Sequence, residues 1–284
     1  MKHYSLILCA ALAGLCLFSC KNDEPQRQEA VTFHVQGLKA ESTPMDNATI
    51  PSNAPRKVAP LTDDDGVQMT DLILFDGATY LTRQQSTDPN FGTVTVMLLL
   101  GEHHFHFIAT RSTELTYENG TLNCVSLRPT FGKHYDLTVN GGSDESITLQ
   151  RLTGQVVITI EDEIPAGASQ LRIQFGDYYK GINPTTFAAT RSGTFDQTVN
   201  IASKVGLSNQ SWTLNVLPPV YGEAYETTYT LTATNTGGDV IGQATGTMSW
   251  NSNTKTLLHG ELFTGTVAAF SLNTAWNADI DEGF

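Results

Sequence analysis

His103-His104-Phe105-His106 is the cluster in this chain that most looks like a metal site. On a strand, His104 and His106 point to the same side and can share a divalent ion. Alternation with Phe105 and Phe107 turns that side toward solvent. Two exposed imidazoles without a third ligand bind weakly, so no metal is expected. Carboxylates gather at Asp63-Asp64-Asp65 and Glu161-Asp162-Glu163, both within polar connections, and read as solvated turn charge. Asp63-Asp64-Asp65-Gly66 lacks the spaced ligands and closing Glu of an EF-hand loop. There is no Gly-x-Ser-x-Gly elbow, phosphate-cradling glycine loop or His-Glu-x-x-His motif. Neither catalysis nor a cofactor is expected.

The remaining reactive groups point elsewhere. Cys124 lies among Leu122 and Leu127 and reads as a buried structural thiol. Tyr178, Tyr179, Trp212, Tyr221 and Tyr225 are candidates for a sugar-binding face, although aromatics in β-sandwiches usually pack in cores and edges. Arg56-Lys57 lies in the proline-rich stretch 41–69 and, if that stretch is exposed, offers Arg56 to a trypsin-like protease.

The N-terminus carries its own chemistry. Lys2 precedes an apolar run, Leu6 to Leu17, that is shorter than the ~20 residues needed to span a bilayer, as in a secretory signal peptide. Leu17-Phe18-Ser19-Cys20 resembles a lipobox, which implies removal of residues 1–19 and acylation of the Cys20 thiol. Lys21-Asn22-Asp23-Glu24 resembles the charged export signal of Bacteroidales lipoproteins. The expected location is the outer membrane, lipid-anchored and facing the exterior, with residues 20–30 as a tether. Of four cysteines, Cys9 and Cys16 leave with the leader and Cys20 is capped, so Cys124 has no disulfide partner. The formal net charge of −13 becomes −14 once Lys2 is lost. Such acidity argues against nucleic acid as a partner.

These residues need a scaffold, and alternation supplies it. Short runs of period two recur between turn residues, among them Val31 to Val35, Val94 to Leu98, Gln155 to Ile160, Leu171 to Phe175 and Thr228 to Ala233. No stretch sustains a helical period, and no tandem sequence repeat is visible. The polar segment 140–145 interrupts the pattern. The expectation is an all-β chain of two tandem Greek-key sandwiches, spanning 31–145 and 146–284. Near the C-terminus, Ala268, Phe270, Leu272 and Trp276 share one face of a run that serves either as a donated strand or as the last strand of the second sandwich.

Taken in order, several motifs resemble the fimbrillin-associated anchor subunits (FimB-like) of Bacteroidales fimbriae. They are the lipobox, the Val31 to Val35 strand, Asp71-Leu72-Ile73-Leu74-Phe75-Asp76-Gly77, the aromatic strand Gly101 to Thr110, Arg151 to Val156, and the closing Trp276-Asn277. Gly101-Glu102-His103-His104 departs from the family's usual Gly-x-Tyr. The resemblance implies transthyretin-like sandwiches and a component of a type V pilus assembled by strand exchange. Its partners would be fimbrial stalk subunits, with the outer membrane held through covalent lipid. A surface lipoprotein that binds glycans through a sandwich face is the alternative.

Overall fold

Side chains that suit a pleated sheet recur at every second position, and the chain folds accordingly. The computed structural model describes residues 27–36, 61–63, 66–264 and 271–274. Among these, the single helical element is a 3₁₀ turn at Ala202–Lys204. No helix among them is long and apolar enough to cross a membrane.

In the first sandwich, β1 (Gln28–Gln36) lies between β4 (Thr93–Leu99), antiparallel to it, and β9 (Ser143–Thr148), parallel to it. The facing sheet runs in the order β10 (Gln150–Arg151), β8 (Thr130–Val139), β5 (Gly101–Thr110), β2 (Asp71–Asp76) and β3 (Thr79–Gln85). Val31, Phe33 and Val35 alternate inward from β1 and are fully buried. Phe33 meets Phe105 and Phe107 edge-on, with ring centroids 4.8 and 5.1 Å away. Strand β9 runs across position 145/146, so the polar segment that breaks the alternation already contains its start.

In the second sandwich, β11 (Gly154–Ile160) lies between β14 (Gln210–Val216), antiparallel, and β17 (Lys255–Gly260), parallel. Beyond β17 runs β18 (Ser271–Thr274). The facing sheet runs in the order β16 (Val240–Trp250), β15 (Tyr225–Asn235), β12 (Ala168–Ile182) and β13 (Ala189–Asn200). Val156, Ile158 and Ile160 of β11 point into its core opposite Leu171, Ile173 and Phe175 of β12.

The two sandwiches repeat one connectivity. Strands β1, β2, β3, β4, β5, β8 and β9 have the same neighbours and directions as β11, β12, β13, β14, β15, β16 and β17. No sequence repeat accompanies this, because each core requires only alternation and not particular residues.

The central sheet of the first sandwich is covered on both faces. Leu72, Leu74, Phe105 and Phe107 face β1, while Ile73, Phe75 and Ile108 join the core of the second sandwich. That is why Leu72 to Phe75 is a continuous apolar run without alternation. A hairpin of β6 (Thr116–Glu118) and β7 (Thr121–Asn123) turns at Asn119 and Gly120, both at positive φ. Strand β7 pairs with β12 through Leu122 and Ile182, carrying the earlier chain onto the sheet of the second sandwich.

Candidate functional site

The first candidate site is the slot holding β1. All nine of its residues are paired, Gln28 to His34 with β4 and Val31 to Gln36 with β9, so that Val31 to His34 are paired on both sides. Three buried side chains fill pockets beneath it. The segment therefore satisfies both ladders and an apolar trough, which are the two needs a strand-exchange joint must meet. At the opposite end of the chain, β18 pairs with β17 and sets Leu272 opposite Leu258. Cys20, Arg56, Ala268, Phe270 and Trp276 lie outside the described residues.

The histidines do not form a solvent-facing pair. His104 is exposed and bonds Asp136 at 2.7 Å; that bond and the Asp136 charge raise its pKa. His106 is buried, because the outer face of its sheet is covered by the second sandwich. Its ring meets that of His134 at 4.6 Å, and His134 stacks on Phe187 at 3.9 Å. His134 Nε2 donates to the Pro184 carbonyl at 3.2 Å, while His106 Nδ1 has no hydrogen-bond partner. Burial lowers the pKa of both. His103 differs again, with Nδ1 2.6 Å from Asp76 and Nε2 2.9 Å from the Leu99 carbonyl. Burial pulls its pKa down, but these two acceptors and the Asp76 charge outweigh it and raise it. Among the described residues, no group of three His, Cys, Asp or Glu side chains could hold a metal ion.

Two carboxylates expected in solvent are instead buried, because each organises backbone. Asp63 accepts from Arg111 at 2.6 Å and from the Val67 N–H at 2.8 Å. Asp162 accepts the N–H groups of Leu262, Phe263 and Thr264 at 3.1, 2.6 and 3.0 Å. Fixed donors of this kind answer the lone pairs of a carboxylate taken out of water. Serial polar residues in a connection gave no hint of which one would turn inward. Cys124 is half-buried with its thiol against the Lys180 carbonyl, and burial raises its pKa.

The aromatics do not converge on one face. Tyr179 packs on Tyr225, which packs on Trp250, and Tyr221 lies against Phe187. Tyr178 alone lines a cleft of about 430 Å³, which opens between the edge strands β13 and β14. Its hydroxyl donates to the Asn215 carbonyl of β14 at 3.3 Å, and its ring meets Phe195 of β13 at 4.9 Å. Sequence reasoning passed over the cationic residues of this cleft, Arg128 and Lys180, which are far apart in the chain.

The fold is thus all-β, with two sandwiches of one connectivity. No protein-family model and no curated protein matches this chain. Among solved structures, it is similar to a candidate adhesin from Bacteroides thetaiotaomicron, at 9% identity and TM-score 0.50, covering 87% of this chain and 97% of that one. A candidate adhesin from Bacteroides ovatus matches at 10% identity and TM-score 0.48, covering 78% of this chain and 83% of that one. A candidate polysaccharide-binding protein from B. thetaiotaomicron matches at 11% identity and TM-score 0.44, covering 87% and 98%. At such identities the likeness is one of fold.

Proposed function

We propose that this chain is a structural cell-surface lipoprotein, the outer-membrane anchor or accessory subunit of a fimbria whose subunits join by strand exchange. The observation that carries the reading is β1, seated in its own slot with Val31, Phe33 and Val35 fully buried. A subunit that keeps this strand has no vacancy there for a donor from a neighbour, and it joins a fibre by offering a strand of its own. The B. thetaiotaomicron structure, a candidate adhesin in name, has the same kind of fold and agrees with a surface role. Acyl chains on Cys20 would hold the protein to the membrane, since each buried methylene contributes roughly 0.8 kcal/mol. Uncut at Arg56, the polypeptide stays continuous from that lipid to the sandwiches. Because β9 and β10 belong to the first sandwich, the boundary between the two sandwich domains is set after Arg151 and not at 145/146.

The test is made on intact cells. Mass spectrometry is expected to find acylated Cys20 at the mature N-terminus, and Cys20→Ala to release the protein from membranes. Deletion of 266–284 is expected to leave a folded, lipidated protein on the surface while fimbriae are shed into the medium. A protein found cut after Arg56 within fibres, or a folded truncation that retains its fimbriae, would overturn the anchor assignment.

A further inference from the structure

The cleft between β13 and β14 has a counterpart in the first sandwich, and there it is shut. The counterpart strands β3 and β4 are joined by Gln84, whose amide donates to the Thr93 carbonyl at 2.7 Å and accepts from the Gly92 N–H at 3.1 Å. No such clasp joins β13 to β14 among the described residues. Among the described residues, the side-chain hydrogen bond reaching β14 beside this cleft comes from β12, where the Tyr178 hydroxyl donates to the Asn215 carbonyl. The second sandwich thus leaves open a seam that the same connectivity closes elsewhere.

The open seam is lined for a polar ligand. Phe195 offers a half-exposed ring, and Thr194 and Thr213 present exposed hydroxyls. Asn215 Oδ1 is buried and has no hydrogen-bond partner. The charge is also inverted locally. The whole chain carries −13, yet Arg128 and Lys180 both line the cleft. Arg128 is exposed and makes no ion pair among the described residues. Lys180 Nζ lies 5.7 Å from the Tyr178 ring centre and donates to the Val125 carbonyl at 3.1 Å, leaving further donors for a ligand. The one acid in the lining, Asp196, is occupied by Arg172 through Nε at 2.8 Å and a second guanidinium nitrogen, and by Gln174 at 3.2 Å. Its charge is answered before any ligand arrives.

We propose that this cleft binds an acidic oligosaccharide, one whose sugar units carry a carboxylate. Arg128 and Lys180 would take the carboxylate, the Phe195 ring a sugar face, and the threonine hydroxyls the ring hydroxyls. An extended peptide fits less well. Strand β13 is irregular against β12 between Phe175 and Gly181, and Gly193 sits at φ +109°, so the edge is kinked where a regular ladder would have to form. This inference is independent of the anchor assignment, which is read by fimbrial retention.

The test is titration calorimetry on the full chain in detergent, with tetragalacturonate as the probe and maltotetraose as its neutral control. Tetragalacturonate is expected to bind and maltotetraose not. Arg128→Gln and Lys180→Gln should each weaken binding about tenfold, as the loss of one charge-assisted hydrogen bond does. Both side chains reach the surface, and an unchanged thermal melt will show that each variant is folded. Equal binding of both sugars, no binding of either at millimolar concentration, or binding that survives both substitutions would overturn the proposal. So would a protein partner that protects the outer amides of β13 from hydrogen exchange, since that is the mark of an added strand.

Discussion

The two sandwiches share seven strands in one arrangement and differ at their margins. In the first, Gln84 clasps the seam between β3 and β4; in the second, the equivalent seam is an open cleft. In the second, β18 covers β17; in the first, no described strand lies beside β9. Strand β2 is buried on both faces, whereas its counterpart β12 alternates buried residues with partly or fully exposed ones over Ala168 to Phe175. Connectivity is held by a few alternating buried side chains, and it leaves the edges free to diverge. Function on such a scaffold belongs where the copies differ.

Substitutions in the two cores break the comparison most severely. Phe33→Ala should cost about 3–5 kcal/mol, and Ile158→Ala, at the corresponding central strand, about 2–5 kcal/mol. Because Ile73, Phe75 and Ile108 belong to the second core, both variants should lower a single shared urea transition. Two separate transitions would mean that the sandwiches are independent. Asp162→Ala strands three backbone donors and should cost about 2–3 kcal/mol, measured in the same titration. Gln84→Ala should cost about 1–2 kcal/mol for two lost hydrogen bonds. It should also speed exchange of the Gly92 amide, making the first seam resemble the second.

Acidity probes the contact between the sandwiches, with a smaller effect. His106 and His134 have pKa values lowered below the unfolded value of about 6.5, so the neutral forms favour the folded state. Their contribution is present above that value and is lost as pH falls through it toward the folded values. His103 works in the opposite sense. Its raised pKa gives stability that is present below about 6.5 and lost as pH rises through the folded value. Protease sensitivity near Phe187 should therefore rise between neutral pH and pH 5. It should rise less in a His106→Gln, His134→Gln double variant.

Much of this architecture can be read from the residues. Val156-Ile158-Ile160 and Val31-Phe33-Val35 alternate because one face is wet, and each became a strand in the expected place. Where both faces are covered, the signal changes kind. Alternation with phenylalanines points His106 toward solvent, yet a second sandwich lies over it. Local pattern shows which residues share a face, but not what that face meets. Strand β9 was missed because Ser143-Asp144-Glu145-Ser146 is polar, and its pairing with β1 depends on residues more than a hundred positions away. Hairpin β6–β7 carries a local sign of its own, an Asn119-Gly120 turn between short strands. The cleft had none, because Arg128, Lys180 and Asn215 meet only through the fold.

The placement of β1 has a mechanical consequence. Force entering the chain from its N-terminal side runs along the axis of this strand, and the flanking ladders on β4 and β9 resist it in shear. Bonds loaded in parallel must fail together, whereas a strand peeled from one end surrenders them singly. A one-residue slip offers no relief, since it would turn Val31, Phe33 and Val35 away from their pockets. The strand must advance by two residues or not at all, which makes the first sandwich a stiff clamp on the chain that enters it at Gln28.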